Sequence, residues 1–248
     1  MELREANDAL RVYSILTTYS VVYFLVVIAP YLVVLVAPRS GLRWLPDMVD
    51  LVLYLPIIGI IFIELIRNIM PNDAPKGVQY LILLSAILHF YGHGFHWSAN
   101  AIDVRMPEGS EPTVKEWAYF LDEILGHIIM FGGLLLFVYS LALSEAIYTS
   151  YHREEYPKHI LVAFGIFHGF TLTLAFIEGQ FIYYAFILIL LYVVLIAILG
   201  EKSDGLSRTL QKPFILFWFS TLLSIYLWSA IYFLIFGGLY QPSELYGF

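Results

Sequence analysis

The chain has 248 residues, 60% hydrophobic and 13% charged, with a mean hydropathy of +0.78. Soluble domains carry about 25% charged and about 45–50% apolar residues, so this composition excludes a soluble enzyme, a disordered tail and a nucleic-acid binder. The net charge of −7 disfavours polyanionic partners, and the lack of cysteine removes disulfides, thiolate metal sites and a Cys nucleophile.

A helix needs about 20 mostly apolar residues to cross a bilayer. The first such stretch, 12–37, has no charged residue, and the second, 48–66, has Asp50 and Glu64 near its ends. The third, 78–102, lacks Asp, Glu, Lys and Arg but holds three histidines. The fourth runs from about residue 116 to 144 and is apolar after Glu123. The stretch 160–200 is too long for one span, and Glu178-Gly179-Gln180 reads as a tight turn dividing it. The last span is 213–240. The prediction is an all-α, polytopic membrane protein, a bundle of about seven transmembrane helices forming a single domain over 1–248.

The acidic, amphipathic start (Glu2, Arg4, Glu5, Asp8, Arg11) is not the basic n-region of a cleavable signal peptide. Cytoplasmic loops hold the excess of Lys and Arg. Nine of these residues flank the side that carries the N-terminus and four flank the other, which predicts a cytoplasmic N-terminus and an external C-terminus.

The third span contains His89, His93, His96, Asn100 and Asp103 at spacings of 4, 3, 4 and 3, which puts all five on one helical face. Ser85 extends the stripe inward, and Gly92 and Gly94 are expected to admit a neighbouring helix closely. The fourth span repeats the spacing with Glu116, Phe120, Glu123, His127 and Met130, and Asp122 lies beside Glu123. The fifth carries His168, Thr171, Ala175 and Glu178. Counted from the outer ends, His93, His127 and His168 each lie at a depth of about 15 Å. Counted from the cytoplasmic ends, His168 falls one or two turns lower, nearer His89.

Ionisable residues inside a bilayer are costly and mark functional interiors. Neutral imidazole binds zinc, iron, copper or nickel, and a catalytic zinc takes three protein ligands and keeps a position open for water. The expected ligands are His93, His127 and His168, with His96 as a competitor to His93 or a fourth. Glu123 is the expected general base. Asn100 and Asp103 either orient the histidines or meet a polar headgroup, and His89, Asp122 and Glu178 complete the polar surroundings. A divalent metal is expected, zinc ahead of iron or copper.

Ser85-x-x-x-His89 within a span resembles the alkaline-ceramidase and progestin/adipoQ-receptor group of membrane zinc hydrolases. That resemblance implies Ser85 as a water or oxyanion partner and His89 as a ligand. It covers this one spacing: the group's His-x-x-x-His in the last helix has no counterpart, because 213–240 contains no histidine.

Other features read more simply. His152 and His159 belong to a charged, solvated loop, and Glu64 and Arg67 form an i, i+3 pair. Pro30 and Pro56 are expected to interrupt the first two helices. Tyr91, Trp97 and Trp117 are placed to meet an apolar substrate. The leading expectation is a membrane metalloenzyme hydrolysing a lipid or other apolar substrate in the outer half of the bilayer. An iron- or copper-dependent oxygenase or desaturase uses the same ligands. A proton-coupled transporter or receptor uses the His/Glu cluster without metal. Oligomeric state is not legible.

Overall fold

Long apolar runs punctuated by Pro, Gly and charged residues leave the backbone one economical solution in lipid, the helix, which satisfies its own N–H and C=O groups. The computed structural model describes residues 2–36, 50–71, 73–103, 106–107, 109, 111–149, 151, 156–202, 205–242 and 245, without the side chains of 2–8, 29–36, 50–51 and 103. Among them every regular element is helical. Helix α1 is Glu2–Val36, and a π-helical turn, Asp50–Tyr54, leads into α2, Leu55–Ile69. Helix α3 is Lys76–Asp103, and α4 covers Pro112–Tyr148. Helix α5 is Lys158–Glu178, α6 is Ile182–Lys202 and α7 is Pro213–Phe236, preceded by a short turn, Leu206–Thr209. Seven of the helices are long and apolar enough to cross a membrane. The protein is an all-α, multi-pass membrane bundle.

The two prolines differ. The backbone of α1 runs helical through Pro30, against the expectation, whereas at Pro56 the π-helical turn gives way to the α-helix, so the second span is interrupted there as expected. Glu64 pairs with Arg67 at 3.1 Å as the spacing predicts, and Arg11 of α1 joins it at 2.5 Å.

The two most extensive pairings are α3 with α4 and α5 with α7. In α3–α4 the backbones touch. A Cβ on Gly92 would lie 2.7 Å from Met130 Cα, and one on Gly133 would lie 2.9 Å from His89 Cα. Small residues permit such contact where lipid supplies no hydrophobic drive between helices. The expectation for Gly94 does not hold, since nothing lies within 4 Å of its Cβ position. The polar stripe of α3 is thereby pressed onto α4.

Candidate functional site

Three histidines of α3 turn their Nδ1 atoms toward α4. His89 Nδ1–H donates to the Met130 carbonyl at 3.0 Å, and His93 Nδ1 meets Met130 Sδ at 3.0 Å. His96 Nδ1 lies 2.5 Å from Asp122 Oδ1. Asp122 is buried and His96 half-buried. A carboxylate inside hydrocarbon is tolerated when a cation faces it, and this contact is an ion-pair approach without hydrogen-bond alignment.

Helix α4 presents Asp122 because it is not α-helical throughout. Phe120–Gly126 forms a π-helical segment, a widening that recurs at functional sites. The spacing of Glu116, Phe120, Glu123 and His127 assumed unbroken α-periodicity. The wide turn shifts the face, so Glu116 is exposed and Asp122, expected only beside the stripe, meets His96. The backbone N–H of His127 turns to the Ile124 carbonyl, and its imidazole Nδ1–H donates to the Glu123 carbonyl at 2.9 Å. That bond fixes the tautomer and leaves Nε2 with its lone pair. The His96 and His127 rings lie 4.2 Å apart.

The turn between α5 and α6 covers His127. Gln180 N–H donates to the Ile177 carbonyl at 3.1 Å and Phe181 N–H to the Phe176 carbonyl at 2.8 Å, the two bonds of a Schellman ending. The Phe176 and Phe181 rings pack 5.3 Å apart, supplying its hydrophobic contact. Gly179 is required by proximity: a Cβ there would lie 2.8 Å from His127 Cγ.

The C-terminal tail closes the same end. Gly237, at φ +73°, ends α7 in the left-handed conformation that glycine adopts without strain, and the chain turns back. Tyr232 hydroxyl holds the Tyr240 carbonyl at 2.9 Å. Gln241 Nε2 then reaches the Glu178 carbonyl at 2.5 Å and Glu123 Oε2 at 3.2 Å. A cavity of about 300 Å³ opens beside it, lined by Tyr119, Gln180, Tyr183, Tyr240 and Gln241 with three aliphatic side chains.

His89, His93, His96, His127, Asp122 and Glu123 thus gather at the α3–α4 interface, and Glu178 joins through its backbone. His168 does not. It is fully buried among Tyr19 and Tyr23 of α1 and Phe217 and Trp218 of α7, with ring separations of 4.7 to 5.5 Å. Its face of α5 packs toward α1 and α7, so agreement in depth does not bring it to His127. Rings connect it to His93 through Tyr23 and Tyr54. Ser85 is buried and donates to the Ile82 carbonyl at 2.8 Å. Asn100 is half-buried one turn beyond His96, whereas the Asp103 side chain and His152 lie outside the described residues.

Among the described residues no group of three or more His, Asp or Glu is arranged to hold a metal ion. The side chains nearest to such a set are His96 and His127 with Asp122. Gln180 and Gln241 were not anticipated. A glutamine carries no chemistry of its own, and the only sequence signal for the tail's return is Gly237-Gly238 after an apolar run. No protein-family model matches this sequence, and no curated protein or solved structure matches it significantly.

Proposed function

We propose that the chain is a membrane-embedded hydrolase of a lipid or other apolar substrate, with His96 and Asp122 as its acid–base pair. The observation that carries this is the 2.5 Å approach of Asp122 Oδ1 to His96 Nδ1 in a buried setting. With the imidazole turned so that Nδ1–H meets the carboxylate, Asp122 would orient the ring and favour its protonated form, the role of the carboxylate in a catalytic triad. His96 Nε2 would accept a proton from water as the water oxygen bonds to the acyl carbon. The same proton then passes to the leaving oxygen or nitrogen as the acyl bond breaks. His127 and Glu123 flank this pair, with the rings of His96 and His127 4.2 Å apart and the Glu123 carboxylate 3.8 Å from His127 Nδ1.

Two observations favour a lipid. The cluster lies within an apolar bundle, and Pro242, next to Gln241, lines a second, apolar cavity of about 380 Å³ with Phe170, Trp228 and Ile235. An acyl chain in that cavity and a headgroup in the polar one would straddle the tail. The charge count along the loops puts this end of the bundle on the external side.

A metal-dependent version is a second reading, favoured by the 4.2 Å separation of His96 and His127 and by the free Nε2 of His127. These two, with Asp122 or Glu123, would hold zinc, or iron or copper in an oxygenase, and the metal would activate water or dioxygen there. His93 is the third nitrogen within one helical turn of His96.

The experiment is lipid turnover by the reconstituted protein. A total lipid extract is incubated with wild type, His96→Gln, Asp122→Asn and His159→Ala, and products are read by mass spectrometry. The expected result is a lipid ester or amide consumed by wild type and His159→Ala but not by the other two. Equal turnover by all four proteins, or none by any, overturns the proposal.

A further inference from the structure

We propose that the cavity beside Gln241 is a binding site for a neutral, hydroxyl-bearing headgroup, and that Gln180 is its specificity-determining residue. The inference rests on the lipid-hydrolase reading and names the substrate class that site takes.

The first argument is the backbone of Gln180. A Schellman ending places its C′ residue in the left-handed region, where glycine is the usual occupant. Here Gln180 holds that position at φ +52°, the only positive-φ residue other than glycine among those described. An unbranched side chain with a Cβ is strained there, and strain of this kind persists at sites that use the side chain. The glycine next to it, Gly179, does not relieve the strain, because its own place is set by contact with the His127 ring.

The second argument is where that side chain goes. Gln180 Nε2 donates to the Tyr119 hydroxyl at 2.5 Å and approaches Gln241 Oε1 at 3.5 Å. Gln241 in turn donates to Glu123. A line of neutral amides therefore runs from the cavity to a carboxylate of the cluster.

The third argument is the chemistry of the walls. Two amides and three phenols line the cavity, and none of its described lining residues is charged. Phosphate or carboxylate groups call for Arg, Lys or clustered N–H donors. A hydrocarbon end offers these walls no donor or acceptor, and a methyl ester offers no donor. Hydroxyl groups both donate and accept, as amides and phenols do, so polyol headgroups match the walls. Tyr183 and Tyr240 are more than half exposed, at the level where amphipathic rings settle in an interface.

The test is equilibrium binding of radiolabelled 1-monooleoylglycerol to the full chain in phosphatidylcholine nanodiscs. The expected result is saturable binding, displaced by unlabelled monooleoylglycerol and at least about tenfold less well by methyl oleate or oleoyl glycerol phosphate. Gln180→Gly and Tyr183→Phe should each weaken binding by about threefold to tenfold, the size of one or two lost hydrogen bonds. Gln180→Gly should melt at or above the wild-type temperature, since glycine fits the left-handed turn. Tyr183→Phe keeps its ring and guards against a folding failure. Displacement by free glycerol at similar concentrations would assign the site to a free polyol, and its failure to a lipid headgroup; both outcomes support the hydroxyl class.

Equal displacement by methyl oleate, preference for oleoyl glycerol phosphate, no saturable binding, or unchanged binding in both variants would overturn the proposal. Because the hydrolase reading has wild type consume this ester, binding is read in the His96→Gln protein and in its Gln180→Gly and Tyr183→Phe derivatives. Binding of monooleoylglycerol as described, with no hydrolysis by wild type, would sink the acid–base reading alone.

Discussion

Glu145 and Lys212 each cap the helix to which the other is attached. The Glu145 carboxylate, fully buried on α4, accepts the backbone N–H groups of Phe214 at 3.1 Å and Ile215 at 2.9 Å, at the start of α7. Lys212, one residue before α7, donates to the carbonyls of Glu145, Ala146 and Thr149 at 2.7, 2.9 and 2.8 Å, at the end of α4. An acid at a helix N-terminus and a base at a C-terminus each complement the dipole, and both satisfy groups that hydrocarbon would leave unpaired. Tyr151 hydroxyl completes the carboxylate at 2.7 Å.

Removing either partner strands buried polar groups. Glu145→Ala is expected to cost about 3–5 kcal/mol, and Lys212→Met a similar amount, because charged partners are lost in a buried setting. Glu145→Gln keeps one acceptor and should cost less than half as much. Thermal unfolding in a fixed detergent checks the ranking; a Glu145→Ala protein as stable as wild type contradicts the capping role.

Gly179→Ala should displace the His127 ring or lift the α5–α6 turn, because the new Cβ falls 2.8 Å from His127 Cγ and 2.9 Å from Phe131 Cε2. Overpacking of this kind costs about 1–3 kcal/mol. Lipid turnover should fall with stability, whereas the neighbouring Gln180→Gly should lose binding and keep its melting temperature. Opposite outcomes at these adjacent positions would contradict the separate roles given to them.

His168→Phe should be neutral or stabilising. Neither ring nitrogen of His168 has a hydrogen-bond partner among the described residues, and four aromatic rings surround it. A buried polar group without a partner costs about 1–3 kcal/mol, and phenylalanine fits an aromatic box. A raised or unchanged melting temperature with turnover intact is the expected result. Loss of turnover with the fold intact would return His168 to the site.

The spans were legible because lipid imposes a simple rule on composition, and the Glu178-Gly179-Gln180 break fell where the chain divides α5 from α6. The α3 stripe was legible as well, since α3 is a regular helix and its 4, 3 spacing survives folding. The α4 stripe was legible only in part, at Glu123, His127 and Met130. Nothing in Phe120–Gly126 announces a π-helical turn, and one wide turn is enough to set Asp122 against His96. His168 shows a different limit: depth along a helix can be counted from the sequence, whereas the direction a helix faces depends on neighbours that α-periodicity does not identify. Glu145 lay one residue past the stretch read as the fourth span. A lone acid at that place, facing a Lys-Pro helix start at 212–213, was the signal available for it.

The central claim is that His96 and Asp122 carry the chemistry as an acid–base pair. The most direct measurement is the rate of lipid ester or amide turnover by wild type and Asp122→Asn, each before and after exhaustive chelation and zinc return. The account predicts that chelation leaves the wild-type rate unchanged and that Asp122→Asn lowers it by about 10²- to 10⁴-fold, the usual share of a general acid–base group. A rate abolished by chelation and restored by zinc, or an Asp122→Asn protein as active as wild type, would contradict it.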